Sequence, residues 1–347
     1  MVQRPGIIAV FGLDLKRKYK YVFSRKNSLK RLFPTENIEG IKVNRIIMSK
    51  IQESDANIFN FPSDQFQRNF FCPICNSKSV SIDEVQTINS SYGNKFQLKE
   101  CSFCHHWWID PIPTQSYLSY LYSISSKFVV SHDYSNNCKV RGKDLNKLYK
   151  KIFSNKETPS DYNYLEIGIG SGDVFDYFQS ITNISYGVEP GPWGSKHHNI
   201  VNDIKELPLN LKFNRIVIFD VLEHVQNPIL MLKQVKMVAH CDVKLFCTFP
   251  NKDSVLAKCY KSKWRMIRPL GHLHFFSKES IKITLKKSGW YSTKIESSRP
   301  NGKSNFDFIL DFFEIKSITS GKIINFPQEF LLGRDQWYIE CNAIKND

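Results

Sequence analysis

No apolar run in the 347 residues approaches the roughly 20 that a bilayer-spanning helix needs, which sets aside a helical membrane protein. Glycine (16 residues) and proline (15) are too scarce for a collagen-like or linker-dominated chain. A secretory leader is also missing: the apolar patch at 6–12 follows Arg4-Pro5 and runs into charge without a small-residue cleavage site, so the chain is expected in the cytoplasm. Acid is in short supply, with 33 Asp and Glu against 48 Lys and Arg and a net charge of +15. Hydrophobic residues at 41% and aromatics at 14% exclude wholesale disorder, and the length suits about two domains.

The positive charge is concentrated at one end. Residues 1–50 hold twelve Lys and Arg against Asp14, Glu36 and Glu39. Residues 1–65 therefore read as a basic N-terminal segment, either a solvated face or a contact for an anionic surface, a phosphorylated carrier or nucleic acid; charge alone selects no partner.

Nine cysteines is an odd count, and four of them form two close pairs, which suits metal thiolates better than a disulfide framework. Cys72 and Cys75, then Cys101 and Cys104, can each occupy two corners of a tetrahedron from one tight turn. Together they would close a structural Zn2+ site with no open position for chemistry. Strand-like alternation at 80–82 and 95–98, around a turn at 90–94, gives the pattern of a small zinc ribbon over 66–114. His105 and His106 are expected as knuckle or surface residues, and Trp107 and Trp108 as packing against the next domain.

Further on, 162–173 reads as a strand ending in Gly168, Gly170 and Gly172, then a helix whose apolar face holds Val174, Phe175, Phe178 and Ile181. Alternate glycines let a ligand approach the backbone at the carboxyl edge of a parallel sheet. The next strand, 185–188, ends in Glu189, an acid about 20 residues beyond the first glycine that can accept from both hydroxyls of a ribose. A dinucleotide fingerprint wants a third glycine where Asp173 stands, and negative charge there suits a pyrophosphate poorly. The loop leans toward another adenosine-containing ligand.

The ordered pieces 165–172, Gly187-Val188-Glu189, 203–208, 216–225, Phe249-Pro250-Asn251, 271–277 and Ser288-Gly289-Trp290 resemble the class I S-adenosylmethionine-dependent methyltransferases. The cysteine module before them resembles that of a bacterial subset methylating sugars, antibiotics and surface glycans. The resemblance implies an α/β, Rossmann-like, seven-stranded sheet with helices on both faces over 115–347. It implies that Glu166, Gly168, Gly170 and Gly172 line the methionine and ribose part of S-adenosyl-L-methionine. Glu189 would hold the ribose diol, Asp203 and the backbone of Ile204 would meet the adenine, and Asp220 would complete the cofactor set. Asn214 stands where the family usually has Asp, with only a local packing effect expected. The last elements are placed at 306–313 and at 337–343, the latter a strand closing the sheet.

Methyl transfer from a sulfonium leaves an enzyme mainly to position the acceptor and to remove a proton when the acceptor is a hydroxyl. Glu223 and His224 follow the fourth strand, above the sheet edge. His224, with an ordinary pKa near 6.5, is the expected general base, and Glu223 would orient it or bind the acceptor. His272 and His274 form a second constellation of candidates. Trp193, Tyr162 and Phe219 are candidate neighbours of the cofactor, with core packing the plainer role. The expected activity is O-methylation of a small-molecule or carbohydrate-linked acceptor. The alternatives are an RNA methyltransferase acting on ribose or base nitrogens, since the Asp/Asn-Pro-Pro typical of enzymes that methylate exocyclic base amines does not follow the fourth strand, and a non-catalytic adenosine-binding scaffold. Nothing in the sequence indicates an oligomeric state.

Overall fold

The computed structural model describes residues 63–85, 96–123, 142–192, 197–298 and 335–345. Nearly all of the basic segment, the turn at 90–94, Trp193 and the element expected at 306–313 lie outside them. Among the described residues, no helix is long and apolar enough to cross a membrane.

The cysteine module contains β1 (Phe66–Gln67), β2 (Ser79–Val85), β3 (Phe96–Cys101), β4 (Trp107–Asp110) and β5 (Ile112–Pro113). Helices α1 (Gln115–Ser123) and α2 (Gly142–Ile152) follow. The main body then runs β6 (Asn163–Ile167), α3 (Asp173–Gln179), β7 (Ile184–Val188), β8 (Ile200–Val201), β9 (Phe213–Phe219), α4 (Pro228–Met237) and β10 (Ala239–Pro250). It ends with α5 (Val255–Tyr260), β11 (His274–Phe275), α6 (Lys278–Lys287), β12 (Trp290–Ser298) and β13 (Gln336–Ala343).

Seven strands form one sheet in the order β12-β13-β10-β9-β6-β7-β8, with β13 antiparallel to both its neighbours and the remaining pairs parallel. Strand alternation sorts the side chains onto two faces. Tyr164, Val217, Phe246 and Tyr338 pack with Phe153, Phe175 and Phe178 from the α2 and α3 side. Leu165, Ile167, Ile216, Ile218, Leu245 and Ile339 pack with Leu232 and Val235 of α4 and Ile281 and Leu285 of α6. The sheet is thus covered on both faces, as expected. Good caps fix the helix starts: the Asn227 side chain accepts from Leu230 N, and Ser277 forms a capping box with Ser280.

The boundary expected at 114 does not separate two cores. The cysteine sheet has the order β11-β4-β3-β2, so one of its edge strands comes from far along the chain, with His274 opposite Trp108 and Phe275 opposite Trp107. Trp107 packs with Leu256, Ala257, Trp264 and Phe275, while Trp108, Cys72, Cys101 and Cys104 belong to the core of the large sheet. The two tryptophans do join the module to the main body, and more tightly than packing alone. Lys252 Nζ reaches Glu100 Oε1 at 2.9 Å, Lys287 Nζ donates to Ile74 O at 2.7 Å, and Ser277 Oγ donates to Cys104 O at 2.6 Å. His105 is the exposed, left-handed knuckle residue expected (φ 54°). His106 is not a surface residue: it is fully buried between the module and the main body.

Candidate active site

The chain leaves β6 toward β7 and β8 on one side and returns to β9 on the other, so the strand order reverses between β6 and β9. A crevice forms at such a switch point, outside the carboxyl ends of the strands. The glycine loop after β6, Glu189 after β7, Asp203 after β8 and the 220–224 loop after β9 all fall along that edge.

Gly168, Gly170 and Gly172 each take a positive φ, of 76°, 52° and 83°. At Gly168 a Cβ would run into the Val221 side chain, and at Gly172 into the His197 ring. Only glycine meets both the backbone and the space requirement there. Glu189 is buried, and its two carboxylate oxygens accept separately from Gly170 N at 3.0 Å and Gly191 N at 2.8 Å. That clamps the second strand's acid to the glycine loop, with lone pairs left over for further donors. Burial raises its pKa, opposed by these two bonds. Glu166 is buried beneath the loop and accepts from the Tyr164 hydroxyl at 2.6 Å; burial pushes its pKa up to about 8 against that bond. Asp203 is exposed, accepting from Lys205 N at 2.9 Å, and the neighbouring Ile204 is buried. Asn214, the departure from the family pattern, makes local bonds only, to Asn163 N and Asp242.

Asp220 turns the chain out of β9 in a left-handed conformation (φ 55°), which Asp tolerates better than most residues. Its Oδ1 accepts from Gln336 Nε2 at 2.9 Å and Thr248 Oγ1 at 3.2 Å. The loop then carries Glu223 into the interior. Both of its oxygens are buried without a hydrogen-bond partner among the described residues, and burial, followed by the charge of Asp220, holds its carboxyl well above the usual range. His224 Nδ1 donates to Gly271 O at 2.8 Å and His272 Nδ1 to Met266 O at 2.8 Å, so both rings keep Nε2 as a lone pair. The rings meet edge to face at 4.7 Å, and burial draws His224 down to about 4. One ligand atom each from Glu223, His224 and His272 lies within 4.8 Å of the others.

His274 stands apart from this cluster in its bonding. Its Nε2 donates to Gln226 O at 3.3 Å and its Nδ1 accepts from His106 Nε2 at 3.1 Å, while His106 Nδ1 faces Ser280 Oγ at 3.3 Å. Neither nitrogen of His274 is free to take a proton from an acceptor. The expectation of a base at this position gives way to a buried bridge between the cysteine module and the 224–227 loop. His106, missed as a contributor, carries the other half of that bridge.

The four cysteine sulfurs lie within 4.8 Å of one another. Ile74 N donates to Cys72 Sγ, and Phe103 N and Cys104 N donate to Cys101 Sγ, at 3.3–3.4 Å. The residues after both pairs, Asn76 and His105, are left-handed, closing each knuckle. This donor set fits a tetrahedral thiolate site.

Residues 138–295, somewhat under half of the chain, match the family described as "Methyltransferase domain". A search of curated proteins finds no match. Among solved structures, the chain is similar to 1,6-didemethyltoxoflavin-N1-methyltransferase of Burkholderia thailandensis, at 10% identity and a TM-score of 0.45, over 76% of this chain and 100% of that one. It is similar to magnesium protoporphyrin IX methyltransferase of Synechocystis PCC 6803 at 12% identity and TM-score 0.43, over 66% and 99%. A complex of the Haloferax volcanii Trm112 methyltransferase activator with a methyltransferase matches at 10% identity and TM-score 0.41, over 59% and 95%.

Proposed function

We propose that this chain, whose residues 138–295 match a methyltransferase domain, is an S-adenosylmethionine-dependent methyltransferase that O-methylates a small-molecule or carbohydrate-linked acceptor. The observation that carries this reading is the Glu223–His224–His272 cluster, whose ligand atoms lie within 4.8 Å of one another around the loop that leaves β9 at the switch point. Glu166, Gly168, Gly170 and Gly172 would hold the methionine and ribose part of the cofactor, Glu189 the ribose diol, Asp203 and Ile204 the adenine, and Asp220 the rim nearest the acceptor. The cofactor supplies a methyl group on a sulfonium whose leaving group is already activated. The protein's remaining tasks are to exclude water, orient the acceptor and take its proton. That proton leaves through the Glu223–His224–His272 cluster, where His224 is the ring open to the crevice, with 17% of its side chain exposed. His274 and His106 position the loop from behind. Cys72, Cys75, Cys101 and Cys104 would hold a structural Zn2+.

Calorimetry and a turnover assay with labelled cofactor test this. Glu189→Ala should weaken cofactor binding by about tenfold or more, as expected when a charged hydrogen-bond acceptor worth about 1.5–3 kcal/mol is lost. His224→Ala should bind cofactor like wild type and lose turnover. Unchanged affinity in Glu189→Ala, or methylation of RNA in preference to hydroxylated small molecules, would overturn the assignment.

A further inference from the structure

We propose that Glu223, His224 and His272 form a binding site for a divalent cation of the zinc, cobalt or manganese class, which holds an oxygen of the acceptor. The inference deepens the methyltransferase reading above and rests on it for the identity of the acceptor. One carboxylate and two imidazoles are a common ligand set for such ions, and three protein ligands leave positions open for substrate.

Three independent observations point to an ion. The ligand atoms already lie within 4.8 Å of one another, and His224 Nε2 is 3.9 Å from Glu223 Oε1. Ligands about 2.1 Å from a tetrahedral ion stand about 3.4 Å apart, so a small contraction closes the site. Next, both imidazoles commit Nδ1–H to a backbone carbonyl, of Gly271 and Met266, which presents Nε2 as a lone pair. This is the outer support that metal-ligating histidines show. Finally, the Glu223 carboxylate is buried with no hydrogen-bond partner on either oxygen among the described residues. A buried carboxylate left unpartnered is costly, and a cation between it and the rings removes that cost.

The scaffold around the three ligands is fixed. Leu273 N and His274 N both donate to Glu223 O, at 2.7 and 3.2 Å, tying the loop of His272 to the loop of Glu223 and His224. Glu223 has 1% of its side chain exposed against 17% for His224, so the open side of the site is the His224 side. Arg268 is the competing cation: its charge is felt at Glu223, but its guanidinium makes no hydrogen bond to either carboxylate oxygen. With an ion bound, His224 would serve as a ligand in place of the base role proposed above, and the cation would supply the lowering of the acceptor hydroxyl's pKa, its proton passing to solvent water.

The test uses the full chain with its cysteine site loaded with zinc, titrated with Co2+. One additional Co2+ per chain is expected, with weak visible bands and without the intense thiolate-to-cobalt charge transfer that cysteine ligation gives. In Glu223→Gln, which keeps shape and removes the anionic ligand, and in His272→Ala, Co2+ affinity should fall more than about tenfold. Thermal melting in metal-free buffer verifies that both variants fold, and calorimetry follows S-adenosylmethionine on the same samples. No additional ion in the wild type, or an ion retained in both variants, overturns the proposal. Loss of cofactor binding in the wild type overturns the methyltransferase reading instead, whatever the Co2+ titration gives.

Discussion

Burial of Glu166 beneath the glycine loop raises its pKa from 4.5 to about 8, against the hydrogen bond from Tyr164. Between those two values the folded chain keeps a proton that the unfolded chain has lost, so this group's share of stability declines as pH rises through the window, at up to about 1.4 kcal/mol per pH unit. Glu166→Gln still accepts from Tyr164 and removes the decline. Its melting temperature should exceed that of the wild type by a margin that is small near pH 5, grows up to about pH 8 and is constant above it; differential scanning calorimetry across that range checks this. At this scale the sequence was most legible where a residue acts through its own backbone or an adjacent turn, as at Gly168, Gly172 and Glu189. It was least legible for His106 and His274, whose bond joins positions 168 apart in the chain. His272 and His274 look equivalent in sequence, and only their hydrogen-bond partners separate a ring with a free nitrogen from one with none.

Between elements, the turn before β6 is organised around a charge. Glu157 accepts from Ser154 N at 2.6 Å and from Lys244 Nζ of β10 at 3.0 Å, and pairs with Arg215 of β9. The Arg215 guanidinium is buried and lies over the Tyr162 ring, 3.9 Å from its centroid. Tyr162 therefore packs on a cation of the sheet. Burial works against ionisation of Glu157, but the Ser154 hydrogen bond and the two cations outweigh it and lower its pKa to about 2. Its contribution is present above 4.5 and is lost as pH falls toward about 2. Glu157→Gln leaves Arg215 without its counter-charge and should cost about 3 kcal/mol at pH 7. Urea melts should show the gap narrowing as pH drops below about 4. The strands of the large sheet were legible because β6, β9 and β13 carry short continuous apolar runs, such as Ile216–Phe219 and Trp337–Ile339, as strands buried on both faces do. β11 was not, since two residues carry no periodicity and its partner β4 is remote in the chain.

In the molecule as a whole, the cysteine module and the loops that carry Glu223, His224 and His272 share one set of supports. Cys104 O receives Ser277 Oγ, Ile109 N donates to Leu273 O, and His106 holds His274, all on the segment that carries His272. Stripping the thiolate site with a chelator should therefore lower the melting temperature and reduce turnover together. Cofactor affinity, proposed above to depend on the glycine loop and Glu189, should change less; paired calorimetry and activity measurements would separate the two. Sequence patterns gave both lobes their outlines, but a boundary read from composition could not reveal a strand exchanged across it.

That exchanged strand determines how the gene can be divided. A fragment beginning at 115 would present β11 as a bare edge, with Leu273, Phe275 and Trp264 stripped of their cover and His274 facing solvent in place of His106. Such a fragment should be recovered in the insoluble fraction, and grafting the module from a relative should succeed only when the 271–277 segment travels with it.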